Sequence, residues 1–404
     1  MNNNSRNRII EEVANAIDIP DTAYEKAHAR YKDLGEWFSR KEAHCYGFNP
    51  HIYSQGSFRL GTVIRPVVKD GDYDLDMGCR LRLGITKATH TQQELKQLIG
   101  ADLEEYRVAR GIKEKKEEKH RCWRLKYADA LNFHLDTVPS IPETFERIRL
   151  IQEAIVRTGA PAQLAMQVAN LTGAITDDRM WNYRIIHDAW CVSNSEGFAL
   201  WFEFRMKLAK GLKERLVIEA KAAKVDELPA YRWKSPLQRC VQLLKRHRDI
   251  MFADDPDGKP ASIIITTLSA RAYQGESEIA DALNTILSTM GALVNPTVPR
   301  VPNPVNPAED FADRWSDPAA DLKSKFWRWL RQAQLDFDAI GKERKPEMIV
   351  EAARDKLGAS LNMEDLKTKL GIGFTGGLLK PAVTPAGLSF PDKPLVPKNP
   401  AGFA

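Results

Sequence analysis

Cysteine is scarce in this 404-residue chain. Cys45, Cys79, Cys122, Cys191 and Cys240 are scattered, with no Cys-x-x-Cys pair. Such spacing excludes a disulfide framework and a cysteine zinc site, and it points to free thiols in a reducing compartment. Long hydrophobic runs are also missing, and no signal peptide opens the sequence. The expectation is a soluble cytoplasmic protein with no membrane contact. Neither sign of charge dominates: 59 Lys and Arg against 54 Asp and Glu leave a net charge of +5. That basic bias is too small for a dedicated long-duplex DNA binder, although a local basic groove for nucleoside triphosphates is compatible with it. No internal repeat is present. The length suffices for a large core, as one two-lobed unit or two domains.

What is present is a set of acids on predicted strands. In Tyr73-Asp74-Leu75-Asp76-Met77, residues two apart share a strand face. Asp74 and Asp76 therefore point one way, while Tyr73, Leu75 and Met77 point into a core. Asp72 lies on the same face, but it follows a turn-forming Asp70-Gly71. Two neighbouring carboxylates repel unless a cation lies between them. Magnesium meets that need, since it takes oxygen ligands and is commonly shared between carboxylates and substrate phosphates. A third acid is expected for a two-metal site, and Asp136 in the apolar-alternating segment Asn132–Pro139 supplies it. Upstream, Gln55-Gly56-Ser57-Phe58 reads as a turn that grips a triphosphate. The pattern points to nucleotidyl transfer. His134, two residues before Asp136, shares its face and is read as a hydrogen-bonded structural histidine.

These motifs together resemble the polymerase-β-like nucleotidyltransferase superfamily. The segment from Gln55 to Leu81 looks like the bacterial cGAS/DncV-like nucleotidyltransferases (CD-NTases). The tracts Pro236–Asp249, Ser262–Leu268 and Asn306–Trp315 are similar to the branch called clade D, and the resemblance covers roughly residues 20–375. It implies an α+β fold: a polymerase-β-like core with a mixed sheet, plus an oligoadenylate-synthetase-like C-terminal helical lobe, two-lobed with a central cleft. It implies a template-independent enzyme using ATP and other NTPs, and a cyclic oligonucleotide second messenger in anti-phage (CBASS) defence. An adenosine-containing cyclic trinucleotide is the expected product, with a dinucleotide as the shorter form. A cyclic-nucleotide-activated effector would act downstream. The alternative is a single-nucleotide transferase modifying tRNA or protein.

By the same resemblance, Asp74, Asp76 and Asp136 hold two Mg2+ ions, with Mn2+ able to substitute. Gly56 and Ser57 clamp phosphates, and Lys245 and Ser262 touch the β- and γ-phosphates. On a helix from Pro236 to Ile250, Leu237, Val241, Leu244 and Arg248 form one stripe with Lys245 at its flank. From there a lysine can bury its stem and present its ammonium to a cleft. The plain alternatives are that Lys245 is a solvated charge beside Arg246 and Arg248, and that Ser262 is a helix cap.

Along the chain, residues 1–45 read as spine helices, with Ile9, Ile10, Val13 and Ile17 at helical spacing. Residues 46–190 read as the nucleotidyltransferase core, 191–375 as a helical domain and 376–404 as a flexible proline-rich tail. Helices are expected over 91–109, 144–170 and 195–223, and two strands over 119–139. The run 113–119 is expected as a solvated charged turn, and the prolines between 296 and 307 as a surface loop. Tyr231 and Trp233 are read as core aromatics able to stack on a base. The tail ends at Ala404, a carboxylate that a ubiquitin-transfer-like enzyme could conjugate, as some systems of the family do.

Overall fold

The computed structural model describes residues 3–68, 71–127, 132–207 and 234–371. Tyr231, Trp233, the 376–404 tail and Ala404 lie outside the described residues, as does the helix expected beyond 207.

The architecture is α+β with two lobes. Among the described residues, seven strands form one mixed sheet in the order β1 (Pro50–Ser54), β2 (Tyr73–Leu81), β5 (Phe133–Pro142), β4 (Trp123–Tyr127), β3 (Glu117–Glu118). β6 (Gly173–Ile175) and β7 (Cys191–Ser193) extend it from the end of β5. β2 and β5 run parallel, and the other neighbours are antiparallel. The period-two alternation expected for β2 and β5 is present: Tyr73, Leu75, Met77, Phe133 and Leu135 are buried in one core, and the acids face away from it.

Pro20 divides the N-terminal helices between the lobes. α1 (Asn3–Ala16) packs Ile9, Ile10 and Val13 into the helical core. α2 (Asp21–Phe38) packs Ala27, Tyr31, Leu34 and Phe38 onto the sheet core; the short α3 (Gly56–Arg59) follows β1, and α4 (Gln92–Ala109) lies beside α2. The expected helix over 144–170 is two helices, α5 (Phe145–Arg157) and α6 (Ala162–Ala169), because Gly159 has φ +87° and Pro161 caps the second. Part of the charged 113–119 run pairs as β3, with the Lys116 ammonium 3.9 Å from the Trp123 ring centre. The proline segment also departs from a surface loop: β8 (Pro302–Asn303) and β9 (Asn306–Asp310) form a hairpin that buries Val301 and Val305.

α7 (Ser195–Met206), α8 (Pro236–Met251) and α9 (Ser262–Ala272) lead into α10–α13 (Ile279–Thr289, Leu322–Lys342, Pro346–Leu357, Met363–Leu370). α8 begins where a capping box, Ser235 with Gln238, meets a proline in the first turn. Its apolar stripe enters the helical core. Its polar face is also buried: Gln238 donates to Leu60 O, Lys245 to Thr62 O, Gln242 to Val63 O and Arg246 to Arg65 O. These side chains satisfy the carbonyls of the connection that leads toward β2, which otherwise lacks ladder partners. The helical lobe is thereby fastened to the backbone that shapes the cleft.

Candidate active site

The parallel pairing of β2 with β5 sets Asp76 opposite Asp136 and Asp74 opposite His134. Three acids from two strands thus meet at one place. Asp74 is largely exposed and Asp136 half-buried. Asp76 is the most confined: burial, then the charges of Asp74 and Asp136, push its carboxyl up to about 7, against the pull of Lys245 and Arg124. Gly56 abuts it. Gly56 has φ +64°, and a Cβ there would stand 2.0 Å from Asp76 Oδ2. Glycine is required for the backbone turn and to leave the carboxylate room.

Gly56, Ser57, Asp72, Asp74 and Asp76 form the sheet-lobe wall of a cavity of about 700 Å3. Lys245, Arg248 and Ser262 form the facing wall. Every predicted site residue among those described lines this cavity except Asp136. Its two oxygens accept from Arg124 Nε and Nη2, each at 2.7 Å. His134 is hydrogen-bonded as expected, with Nε2 2.9 Å from Asp72 and Nδ1 3.6 Å from Asp74.

Lys245 is a buried cation, not a solvated one, and Arg246 and Arg248 are buried with it. Burial first, and Arg248 second, pull the Lys245 ammonium down to about 8, opposed by Asp249, Asp76 and Asp74. Ser262 is the first residue of α9, whose cap position is Ala261, so Ser262 does not cap by its side chain. Its hydroxyl accepts from Arg248 Nη1 at 2.8 Å. Arg248 also donates to Pro260 O and Asp249, which fixes its guanidinium at the mouth of α9.

Sequence reading assigned no role to Arg248 or Arg124. Arg248 lies one turn beyond Lys245, a spacing that puts both on one helix face. Arg124 alternates with buried Trp123 and Leu125 and pairs in register with Asp136, but that register is set between strands. Another trio, His44, Asp102 and Glu105, has ligand atoms within 4.8 Å of one another. Asp102 accepts from the backbone of His44 and Cys45, each at 2.8 Å, and Glu105 pairs with Arg40. The trio staples the end of α2 to α4.

A strand-borne acid cluster facing buried cations across a two-lobed cleft is the build of a nucleotidyltransferase. Residues 50–139 match the family model described as the nucleotidyltransferase domain of cyclic GMP-AMP synthase DncV-like proteins. A c-di-GMP synthase of Roseivirga ehrenbergii is 29% identical over 312 residues, covering 76% of this chain and 72% of that one. The cyclic dinucleotide synthase CdnG of Bradyrhizobium diazoefficiens is 25% identical over 328 residues, 76% of this chain and 70% of that one. The structure of the Bradyrhizobium CdnG in complex with GTP superposes with a TM-score of 0.61 at 22% identity, covering 91% of this chain and 98% of that one. The Vibrio cholerae di-nucleotide cyclase DncV superposes at 0.52 and 14% identity, covering 90% and 89%. The chain is thus similar to the CD-NTases, with residues 50–139 matching the nucleotidyltransferase domain of the DncV-like family.

Proposed function

We propose that this enzyme joins nucleoside triphosphates into a cyclic oligonucleotide, with Asp74, Asp76 and Asp136 holding two magnesium ions. The observation that carries the reading is the placement of the acids on adjacent parallel strands, with Asp74 and Asp76 facing Lys245, Arg248 and Ser262 across one cavity and Asp136 in register with Asp76. Bound magnesium would stabilise an attacking ribose alkoxide and the charge developing on the leaving pyrophosphate. Asp76, crowded by two like charges, gains most from a cation. Lys245 and Arg248 meet the triphosphate from the helical wall, and Gly56 and Ser57 from the sheet wall, so that the reaction is driven by positioning and electrostatics. In each transfer a ribose hydroxyl oxygen bonds to the α-phosphorus, the bond to the β-phosphate oxygen breaks, and pyrophosphate leaves. The hydroxyl proton goes to solvent.

A cyclic dinucleotide is the favoured product, because both curated relatives are named for cyclic dinucleotides. The trinucleotide implied by the clade D-like tracts is the second reading. A CBASS role, with a downstream effector and conjugation through Ala404, belongs to the same proposal; intact mass after coexpression with a ubiquitin-transfer-like enzyme tests the last part. The central test incubates the purified chain with labelled NTPs and magnesium, then applies phosphatase and mass spectrometry. A phosphatase-resistant cyclic species should form, and should vanish with EDTA and in the Asp74→Asn, Asp76→Asn double variant. Label appearing only on tRNA or protein would replace this reading with the single-nucleotide transferase.

A further inference from the structure

The large cavity has a neighbour with a different lining. A second cavity, of about 190 Å3, shares Gly56, Leu60 and Ile263 with the first. It is smaller than the roughly 300 Å3 or more typical of pockets that enclose a whole small-molecule ligand. Its floor is apolar, with Ile175, Val192 and Phe198, and Phe311 meets Phe198 edge-on at 6.0 Å between ring centres. Glu309 stands over this floor on β9. Arg59 and Arg121 also line the cavity, each paired elsewhere, with Glu203 and Asp177. An apolar floor with a carboxylate in the lining, next to the larger cavity, suits a heterocycle whose rim donates hydrogen bonds.

The hairpin holds Glu309 deliberately. Asn303, 5% exposed, accepts from Val305 N at 3.0 Å and donates to Glu309 Oε2 at 2.7 Å. Next door, Asp310 accepts from the backbone of Arg300, Val301 and Ala312 at 2.8–2.9 Å, which pins the strand. Glu309 Oε1 has no hydrogen-bond partner among the described residues. An ionised carboxylate only accepts. Guanine offers two adjacent donors, N1–H and the 2-amino group, which fit it as a pair. Adenine presents an N1 lone pair at the same place, and the two would repel.

We propose that the smaller cavity is a nucleobase pocket and that Glu309, positioned by Asn303, selects guanine there. This rests on the nucleotidyltransferase reading above and names one of its substrates. The test measures binding of α,β-methylene analogues of GTP and ATP to the full chain with magnesium, so that no turnover is needed. The native chain should prefer the guanine analogue by about tenfold or more, as expected for a paired base contact. Glu309→Gln keeps the shape and the Asn303 bond; it should abolish most of that preference, by weakening the guanine analogue and by removing the repulsion of adenine N1. Equal affinities in the native chain, or a preference untouched by Glu309→Gln, would overturn the proposal. In turnover with equal GTP and ATP, the guanine share of the product should fall in Glu309→Gln. Absence of any cyclic product with the binding preference intact would count against the cyclase reading and leave the pocket assignment standing.

Discussion

On the sheet side of the cleft, like-charged acids stand on neighbouring parallel strands, and Asp76 is driven up to about 7. On the helical side, cations are buried along α8, and Lys245 is driven down to about 8. Each wall holds charge in its less comfortable place. Arg124 takes both oxygens of Asp136, and Thr62 O takes Lys245. Across the cleft, Asp76 and Lys245 each offset part of the other's burial. Opposed walls of opposite sign suit a ligand that carries both signs, such as the metal-bound triphosphate proposed above.

The largest expected effect breaks the acid wall. Asp74→Asn with Asp76→Asn should lower turnover by roughly a thousandfold or more while the fold persists, measured by pyrophosphate release and circular dichroism. On the other wall, Lys245→Met and Arg248→Met should each raise the KM for nucleotide by about ten- to hundredfold, with kcat less affected.

Stability should respond in opposite senses on the two sides. Asp76 titrates in the folded chain near 7 and in the unfolded chain near 3.8. Between those values only the folded state keeps the proton, so metal-free stability falls as pH rises through this window and the loss is complete above it. Asp76→Asn should then stabilise the metal-free protein at pH 8 by roughly 2–4 kcal/mol, one pKa unit being about 1.4 kcal/mol. Lys245 titrates near 8 folded against 10.5 unfolded, so its burial cost is present at neutral pH and is relieved as pH rises across that interval. Lys245→Met should flatten the alkaline rise by about 2–3 kcal/mol. Urea unfolding in EDTA across pH 4–10 reads both slopes. Arg124→Gln should cost about 1–3 kcal/mol in the same buffer, because Asp136 loses its counterion beside Asp76, and added magnesium should restore part of it. Ser262→Ala, which removes one of several partners of Arg248, should change KM only a few-fold.

Legibility in the sequence followed the range of each interaction. Asp74, Asp76 and the burial of Tyr73, Leu75 and Met77 were readable because a strand's period is local. Gly56 was readable as a turn, but its closeness to Asp76 was not, since twenty residues separate them. Lys245 was placed as a cation at a cleft; Arg248, one turn on, was counted only as part of the stripe. The break at Gly159 and Pro161 was written in the chain and is overridden only by reading the 144–170 period too far. The Pro302–Asp310 hairpin was hidden because prolines argue for loops, and its strands are short.

Sequence alone determined most strand and helix periods, the unpaired thiols and the order of motifs, because these depend on neighbours a few residues apart. Tertiary structure decided the register that brings Asp136 to Asp76 and Arg124 to Asp136, the burial that moves Asp76 and Lys245 toward each other's range, and the fastening of α8 to the 60–65 backbone. Those depend on desolvation and on charges brought together from distant parts of the chain, which no local pattern encodes.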